Sequence, residues 1–464
     1  MLSPDTHNRR SNQTCLPIKG LLLLLIIGVG GRIPRALAEN WPQWRGPTLN
    51  GICTERDLPV AWSAAADAEW KNVAWKLPLP GPAGSTPVVW RDRIYLTSAA
   101  EGDQLILLCI ATSGRELWRR KLDGGNRSVR GDEGNLASPS PSTDGRRVWT
   151  LVGTGKLACY DTSGNLQWDV DLVDRYGKIE IAFGLASTPI LQPGRLYLQI
   201  IRGDRDPSTN EALVVCLDAE TGGQIWLHHR TSDARGECEQ SYASPTIYRD
   251  AQQEFLLTHG ADYLVAHSLV DGHELWRCGG INPPGNYNLT LRLISSPVAG
   301  EGLIVVPTAK NGPIMGLRPA GSPLPLAAGK DHSDSEAAPY QMIWRYPENT
   351  PDVPSPLIKD GLVYLCRENG NLRCLDAQTG AEIYRRRTER GRHRASPVWA
   401  DGKIYLTSRN GKVTVVRAGR QFDVLARNDV AEEITASPAI ANGTIYLRTF
   451  QSLIAIRKGG GKEN

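Results

Sequence analysis

The chain of 464 residues has only 4 Phe and 3 Met, and it contains no pair of adjacent cysteines. The G-x-S-x-G and H-E-x-x-H patterns are also missing, so the sequence offers no nucleophile elbow and no zinc-protease helix. The formal charge is only +4, which argues against a nucleic-acid-binding protein. By contrast, the sequence has 13 Trp, and the positions of these tryptophans need a structural explanation.

One long apolar run occurs, close to the N-terminus. Arg9, Arg10 and Lys19 precede the apolar stretch Leu21–Val29, and Ala36-Leu37-Ala38 provides a small-x-small cleavage site. This pattern predicts a signal peptide over residues 1–38, because the stretch is shorter than the roughly 20 residues of a membrane-spanning helix. We expect export to the periplasm or cell envelope and no transmembrane span after cleavage. The rest of the chain carries 48 basic and 48 acidic residues, which leaves no charge for nucleic acid.

A small residue followed by proline recurs about every 50 residues and opens an apolar stretch each time. Strand-like segments such as RIYLTS at 93–98 follow it, and then a turn with Asp and Gly, which suit tight turns. Four strands in each of eight repeats predict an all-β, eight-bladed β-propeller of four-stranded antiparallel blades. The eight corners are Thr86-Pro87, Ser138-Pro139, Thr188-Pro189, Ser244-Pro245, Ser296-Pro297, Ser355-Pro356, Ser396-Pro397 and Ser437-Pro438.

The fourth strand of most repeats carries a large aromatic residue. A flat side chain at one repeated position indicates packing between neighbouring sheets. The last repeat ends in a third strand with none behind it, while a strand-like segment precedes the first corner. We therefore expect the N-terminal strand to complete the last blade and close the ring. The aromatic positions are Trp75, Trp118, Trp168, Trp226, Trp276, Trp344 and Tyr384.

These patterns divide the chain into a signal peptide (1–38), an N-terminal extension with the WPQWRGP segment (39–70), the propeller (71–457) and a disordered tail (458–464). Residues 319–339 are rich in Ala, Gly, Ser and Pro, which predicts a flexible insertion in the fifth blade. Three separate β-rich domains are the alternative architecture, but the even phase of the repeats favours one ring.

The cysteines after the leader number eight, which in an exported protein raises the possibility of disulfides. Cys109, Cys159, Cys216 and Cys374 occupy one repeat position, however, and we expect them to be structural thiols. Cys366 and Cys374 flank a predicted hairpin and could approach each other. The basic run 385–394 is interpreted as a solvated strand and loop, with a contact for an acidic partner as the alternative.

The unit Cys-Leu-Asp-Ala-x-Thr-Gly followed by an aromatic residue, at 216–226 and 374–384, resembles the pyrroloquinoline-quinone (PQQ) type propeller repeat. WPQWRGP at Trp41–Pro47 resembles the start of exported bacterial PQQ-like repeat proteins. The family includes quinoprotein dehydrogenases and an outer-membrane assembly scaffold. Its dehydrogenases use PQQ with Ca²⁺, an Asp base, Glu and Asn ligands and a disulfide between adjacent cysteines. This chain has no such cysteine pair and no compact acidic loop, so we expect no cofactor and no metal.

Long polar segments precede several corners: 122–136, 170–183, 231–242 and 279–293. In a propeller these connections gather on one face, here called the long-loop face, and loops on a rigid scaffold commonly bind ligands. We predict a non-catalytic exported scaffold, a monomer, that binds a protein or glycan partner in the envelope through this face. A PQQ-dependent alcohol or sugar dehydrogenase is the alternative, and so is a water-filled channel without a ligand. Residues expected at the channel mouth are Asn135, Tyr242, Arg292, Asp352, His393 and Arg394.

Overall fold

A computed structural model describes residues 39–63, 70–126, 134–179, 181–202, 212–308, 312–321 and 338–461. The predicted signal peptide, residues 1–38, therefore lies outside the described residues. The same holds for parts of the 122–136 and 170–183 segments and for 322–337 and 462–464. Within the ranges given, no helix is long and apolar enough to cross a membrane.

The described residues form eight sheets arranged as blades of a propeller. Two strands come from the N-terminal part, β1 (Ile52–Cys53) and β2 (Val73–Pro78). Blades 1 to 4 consist of β3 (Val88–Trp90), β4 (Arg93–Ala100), β5 (Gln104–Ala111), β6 (Glu116–Gly124); β7 (Ser142–Thr143), β8 (Arg147–Leu151), β9 (Lys156–Asp161), β10 (Leu166–Asp171); β11 (Ile190–Gln192), β12 (Arg195–Ile201), β13 (Ala212–Asp218), β14 (Gln224–His229); and β15 (Thr246–Arg249), β16 (Glu254–Gly260), β17 (Tyr263–His267), β18 (Glu274–Cys278).

The remaining blades follow the same order from the innermost to the outermost strand. Blades 5 to 8 consist of β19 (Val298–Gly300), β20 (Leu303–Pro307), β21 (Ile314–Pro319), β22 (Tyr340–Tyr346); β23 (Leu357–Lys359), β24 (Leu362–Cys366), β25 (Asn371–Asp376), β26 (Glu382–Arg387); β27 (Val398–Ala400), β28 (Lys403–Thr407), β29 (Lys412–Arg417), β30 (Val424–Asp429); and β31 (Ala439–Ala441), β32 (Thr444–Arg448), β33 (Ser452–Ile456). One short α-helix occurs in the described part, α1 (Leu172–Tyr176) after blade 2.

The ring closes through the N-terminal strand, as predicted. β2 pairs antiparallel with β33, with Trp75 opposite Ala455, and becomes the outermost strand of blade 8. Blade 7 has the four predicted antiparallel strands and one more. There β1 pairs parallel with β27, with Ile52 opposite Trp399, and adds a fifth strand on the channel side. The inner edge of a blade has free N–H and C=O groups, so an extended segment near the axis can pair with it.

The repeat tryptophans connect most blades to the next one. The indole N–H of Trp118 in blade 1 donates to the carbonyl of Thr162 in blade 2 at 3.0 Å, and Trp344 in blade 5 donates to Ala377 in blade 6 at 2.8 Å. Trp75 on β2 donates to Thr112 of blade 1 at 2.8 Å. The same contact, an indole N–H that donates to a carbonyl of the next blade, therefore recurs around the ring.

The glycine in the turn between the third and fourth strands lies against this tryptophan. Gly222 has φ +71°, and a Cβ atom there would lie 2.7 Å from the ring of Trp168 in the preceding blade. Gly380 has φ +68° and faces Trp344 in the same way. The turn needs glycine both for its backbone conformation and for the space that the indole occupies.

The segment 319–339 connects the last two strands of blade 5. β21 ends at Pro319, directly opposite Tyr340 at the start of β22, and residues 322–337 lie outside the described residues. At the C-terminus, Lys458 contacts Asp57, and the N–H of Gly459 donates to Asn72 at 3.1 Å.

The eight cysteines of the described part are all buried and carry free thiols. Burial raises the pKa of Cys216 to about 11 and that of Cys374 to about 12. A thiol that stays protonated is a poor nucleophile, so these side chains serve as core residues.

Candidate functional site

The WPQWRGP motif begins a segment, residues 41–55, that lies across one end of the central channel; we call it the closing segment. Trp41 exchanges backbone hydrogen bonds of 2.8 Å with Val89 on β3 of blade 1. The carbonyl of Pro42 accepts from the N–H of Thr143 in blade 2 at 2.8 Å. The side chain of Gln43 accepts from Leu191 in blade 3 at 3.0 Å. These contacts lie on the innermost strands, away from the corners.

The second half of the closing segment reaches the opposite side of the ring. The guanidinium of Arg45 is buried and donates to the carbonyl of Pro356 in blade 6 at 2.5 Å. Ile52 pairs with blade 7, and the carboxylate of Glu55 accepts from Asn442 of blade 8 at 3.0 Å. Leu49 packs in the apolar cluster that contains Ile247 of blade 4. The segment therefore spans the channel end that carries the short turns, here called the short-turn face.

The Ser/Thr-Pro corners form a belt around the channel that is open between blades 8 and 1. From Thr86 to Ser396, the backbone N–H of each of seven corners donates to the side-chain hydroxyl of the corner in the next blade, over distances of 2.8 to 3.1 Å. The hydroxyl of Thr86 has no hydrogen-bond partner among the described residues. In blade 2 the residue in this belt is Ser140, before Pro141, and not Ser138 as the repeat spacing predicts. Both Ser-Pro pairs fit the motif, and only the position of β7 decides between them. The belt runs through Thr86, Ser140, Thr188, Ser244, Ser296, Ser355, Ser396 and Ser437.

A cavity of about 770 Å³, here called the pit, occupies the channel. Hydroxyls of the belt line its wall, and residues of the long-loop segments line its upper part. Trp44 of the closing segment lines its opposite end. Since the closing segment lies across the short-turn face, the pit is accessible from the long-loop face.

Five of the six residues expected at the channel mouth line the pit: Asn135, Tyr242, Arg292, Asp352 and Arg394. His393 does not. It is completely buried, its N–H donates to the carbonyl of Glu368 at 2.9 Å, and its Nδ1 lies 3.2 Å from the carbonyl oxygen of Gly391. Burial lowers the pKa of His393. Adjacent residues of an extended segment point in opposite directions, so Arg394 and His393 cannot both face the channel.

One side of the mouth consists of aromatic rings and an ion pair. Arg292 contacts the carboxylate of Glu237 from the neighbouring loop, and its guanidinium lies 5.0 Å from the ring centroid of Phe183. Phe183 also meets Tyr242 edge-on, with centroids 6.0 Å apart. These contacts fix the guanidinium between two long loops.

The other side of the mouth rests on a partly buried carboxylate. Glu368 accepts hydrogen bonds from the N–H groups of Asp352 and Val353, the latter at 3.1 Å. Burial raises the pKa of Glu368. Across the ring, Asn135 donates to the carbonyl of Pro82 at 2.9 Å and accepts from Ala137 at 2.8 Å. Backbone groups of the loops therefore hold the side chain of Asn135, and the carboxylate of Glu368 holds the backbone of Asp352.

Several other residues that line the pit are not predicted from the sequence. Arg392 and Arg409 add two guanidinium groups, Phe183 and Phe450 add aromatic wall, and Trp44 forms the floor. The WPQWRGP motif is visible in the sequence, but nothing in it shows that its second tryptophan reaches the channel. Arg392 lies in the basic run 385–394, so that run is partly a lining element.

The lining residues do not fit the calcium ion of the dehydrogenases that the repeats resemble. Calcium requires six to eight oxygen ligands. Asp352 provides the only carboxylate among the described residues that line the pit. Across the described ranges, no group of three or more His, Cys, Asp or Glu side chains could hold a metal ion.

The repeated blades, the tryptophan contacts and the axial pit define a PQQ-like β-propeller repeat protein. The family model described as outer membrane protein assembly factor BamB matches residues 61–197 and 335–464. This match covers more than half of the chain, and the chain therefore belongs to that family. No curated protein sequence matches the chain closely enough to be counted as a relative.

Solved structures share the fold at low sequence identity. BamB from Moraxella catarrhalis has a TM-score of 0.57 and 13% identity, over 83% of this chain and 99% of that one. Quinohemoprotein alcohol dehydrogenase from Comamonas testosteroni has a TM-score of 0.63 and 14% identity, over 92% of this chain and 81% of that one. The computationally designed Ika8 protein has a TM-score of 0.54 and 12% identity, over 82% and 98%. At such identities the likeness concerns the fold alone.

Proposed function

We propose that this chain is an exported, non-catalytic scaffold of the periplasm or cell envelope that binds a protein or glycan partner through its long-loop face. The observation that carries the proposal is the pit, which the closing segment covers at one end and the long loops surround at the other. Membership in the BamB family supports a role in assembly rather than catalysis. The lining residues give no calcium site, which favours a binding surface over a quinoprotein active site.

Site-specific photo-crosslinking in the native envelope tests the face that binds. Leu289 lies in the 279–293 loop and is 55% exposed, so a photo-reactive residue there would contact a partner on the long-loop face. Val270 is 72% exposed in a turn of the short-turn face and is the matched control. We expect a discrete adduct from position 289 and none from position 270. Adducts from 270 alone, or equal adducts from both, would contradict the proposal.

The dehydrogenase alternative has its own test. The purified chain is incubated with PQQ and Ca²⁺, and dye-linked oxidation of alcohols and sugars is followed. We expect no turnover, because the pit provides one carboxylate among its described residues. Stoichiometric PQQ binding with turnover would replace the scaffold proposal by the enzymatic one.

A further inference from the structure

The belt hydroxyls have a hydrogen-bonding capacity that the propeller itself does not use. Ser244 accepts the N–H of Thr188 at 2.9 Å, and Ser296 accepts that of Ser244 at 2.8 Å. A hydroxyl that accepts in this way still has its own O–H to donate. Among the described residues, none of the belt hydroxyls from Ser140 to Ser437 donates a hydrogen bond to another protein atom. Since these residues line the pit, the belt is a ring of donors around its axis.

The mouth above the belt is also rich in donors and carries positive charge. Arg292, Arg392, Arg394 and Arg409 line it, against the single carboxylate of Asp352 in the described lining. Glu237 contacts Arg292 and Glu433 lies 3.5 Å from Arg409, so these two carboxylates neutralise part of this charge. Each guanidinium has five N–H groups in a planar arrangement that suits carboxylates. The pit as a whole therefore favours a ligand that is anionic and rich in oxygen acceptors.

From this arrangement we infer that the pit binds the end of an acidic oligosaccharide, a sugar chain that carries carboxylates. The inference rests on the proposed function and names the ligand of the same face. Donors surround the pit on every side, and a sugar ring presents oxygens around its whole perimeter. A peptide terminus has only one carboxylate and brings N–H donors of its own. Phe183, Tyr242 and Phe450 on the wall provide apolar surface for the C–H faces of sugar rings.

The size of the pit agrees with such a ligand. Its volume of about 770 Å³ lies within the range of roughly 300–1,000 Å³ for small-molecule sites. A few sugar units fit, whereas a folded domain does not. The closing segment covers the far end, so the chain end enters and does not pass through.

Isothermal titration of the full exported chain tests the ligand class. Trigalacturonate and a mannuronate trimer are the acidic probes, and methyl-esterified trigalacturonate is the neutral control. We expect one-to-one binding of at least one acidic trimer and at least tenfold weaker binding of the ester. Absence of binding by both acidic trimers, or equal binding of the ester, would overturn the inference. Tighter binding of a short peptide through its free carboxyl terminus would assign the pit to a protein terminus instead.

Paired variants locate the site. Arg394→Gln removes a guanidinium from the pit, while Arg385→Gln makes the same change on the outer strand β26, where the side chain lies 3.9 Å from Glu382. We expect at least tenfold weaker binding for R394Q, less than twofold change for R385Q, and unchanged Tm for both. If R394Q is unstable, Phe183→Leu provides the second test with a comparable loss. Equal losses in R394Q and R385Q would place the site outside the pit.

The two proposals fail in different ways. If no sugar binds but the crosslink from position 289 forms, the sugar ligand is contradicted and the scaffold proposal stands. If sugar binds but no crosslink forms from the long-loop face, the sugar ligand stands and the partner protein is contradicted.

Discussion

At the scale of single residues, the contact between blades is a tryptophan in one blade and a glycine in the next. Trp168 donates its indole N–H to the carbonyl of Ala219 at 3.1 Å, and its ring covers Gly222 of the same turn. The two residues depend on each other. The left-handed turn needs glycine, and because glycine has no side chain, the indole ring has space to pack against the turn. This is why the sequence is rich in tryptophan at one repeat position.

Gly222→Ala tests this contact against backbone strain alone. At Gly402, with φ +68°, nothing lies within 4 Å of an added Cβ, so Gly402→Ala should cost about 1 kcal/mol of unfolding free energy. Gly222→Ala should cost about 1–3 kcal/mol more, because the methyl group meets the Trp168 ring. Denaturant titration measures both values. Equal costs would mean that the ring moves aside without penalty.

A buried histidine makes stability depend on pH. Burial lowers the pKa of His259 to about 3, and its Nε2 lies 2.8 Å from the carbonyl oxygen of Pro307. Below about pH 6.5 the unfolded chain binds a proton that the folded chain refuses, so stability falls as pH falls toward 3. His259→Gln should reduce this slope by up to about 1.4 kcal/mol per pH unit.

The control for that measurement is His229→Gln. The side chain of His229 is exposed at the end of β14, so the variant makes the same substitution outside the core. Unfolding free energies between pH 3 and 6.5 provide the comparison. An unchanged slope in H259Q would show that other groups carry the acid sensitivity.

The candidate site shows how far residue-level patterns reach. Counting back from the corners finds Asn135, Tyr242, Arg292, Asp352 and Arg394, because the corner fixes where the chain enters the channel. His393 precedes Arg394 by one residue. Adjacent side chains of an extended segment point in opposite directions, so the side chain of His393 points away from the channel. The sequence does not predict Trp44 and Phe183 in the pit, because they lie in segments that are not part of the repeat pattern.

At the scale of elements, β2 is the strand whose place in the ring depends on the most distant contact. It pairs with β33 at the other end of the chain, and Trp75 packs against Tyr446 with ring centroids 6.1 Å apart. The sequence predicts this closure, because the last repeat lacks a fourth strand. It does not predict β1, since a two-residue parallel pairing depends on a free edge in blade 7 that no local pattern marks.

Trp75→Ala should loosen the closure selectively. The cavity and the lost hydrogen bond to Thr112 should cost about 3–5 kcal/mol, and amide exchange should accelerate in β2 and β33 before other strands. Trp226→Ala is the matched variant in the middle of the ring and should accelerate exchange around blades 3 and 4. Hydrogen exchange read by mass spectrometry distinguishes the two patterns. Uniform acceleration in both variants would indicate that the ring opens only as a whole.

At the scale of the whole molecule, the closing segment turns a channel into a pit. It buries Trp41 and Arg45 and joins strands on opposite sides of the ring. Beyond it, the ring of Trp62 stacks on Tyr405 with centroids 6.4 Å apart, and the backbone N–H of Trp62 donates to the side-chain oxygen of Asn428 at 2.8 Å. The chain thus runs from the axis past blade 7 to the outer strand of blade 8.

Deletion of residues 39–55 tests how much this segment contributes to stability. Burial of Trp41 alone is worth about 5 kcal/mol at roughly 25 cal/mol per Å², so calorimetry should show a clearly lower Tm. Removal of the residues after Lys458 is the control and should change Tm little. A shortened protein with the parent Tm would contradict a stabilising role for the segment.

The path of the closing segment also has a mechanical consequence. A load applied at Glu39 would act first on the hydrogen bonds of Glu39 itself to Thr54 and Glu55. It would act next on the bonds between Trp41 and Val89, then on those of Pro42, Gln43 and Arg45, and on the pairing of Ile52 last. The contacts would break one after another in chain order, while the tryptophan contacts between blades carry no tension. Tension at Glu39 would therefore convert the pit into an open pore before any blade unfolds.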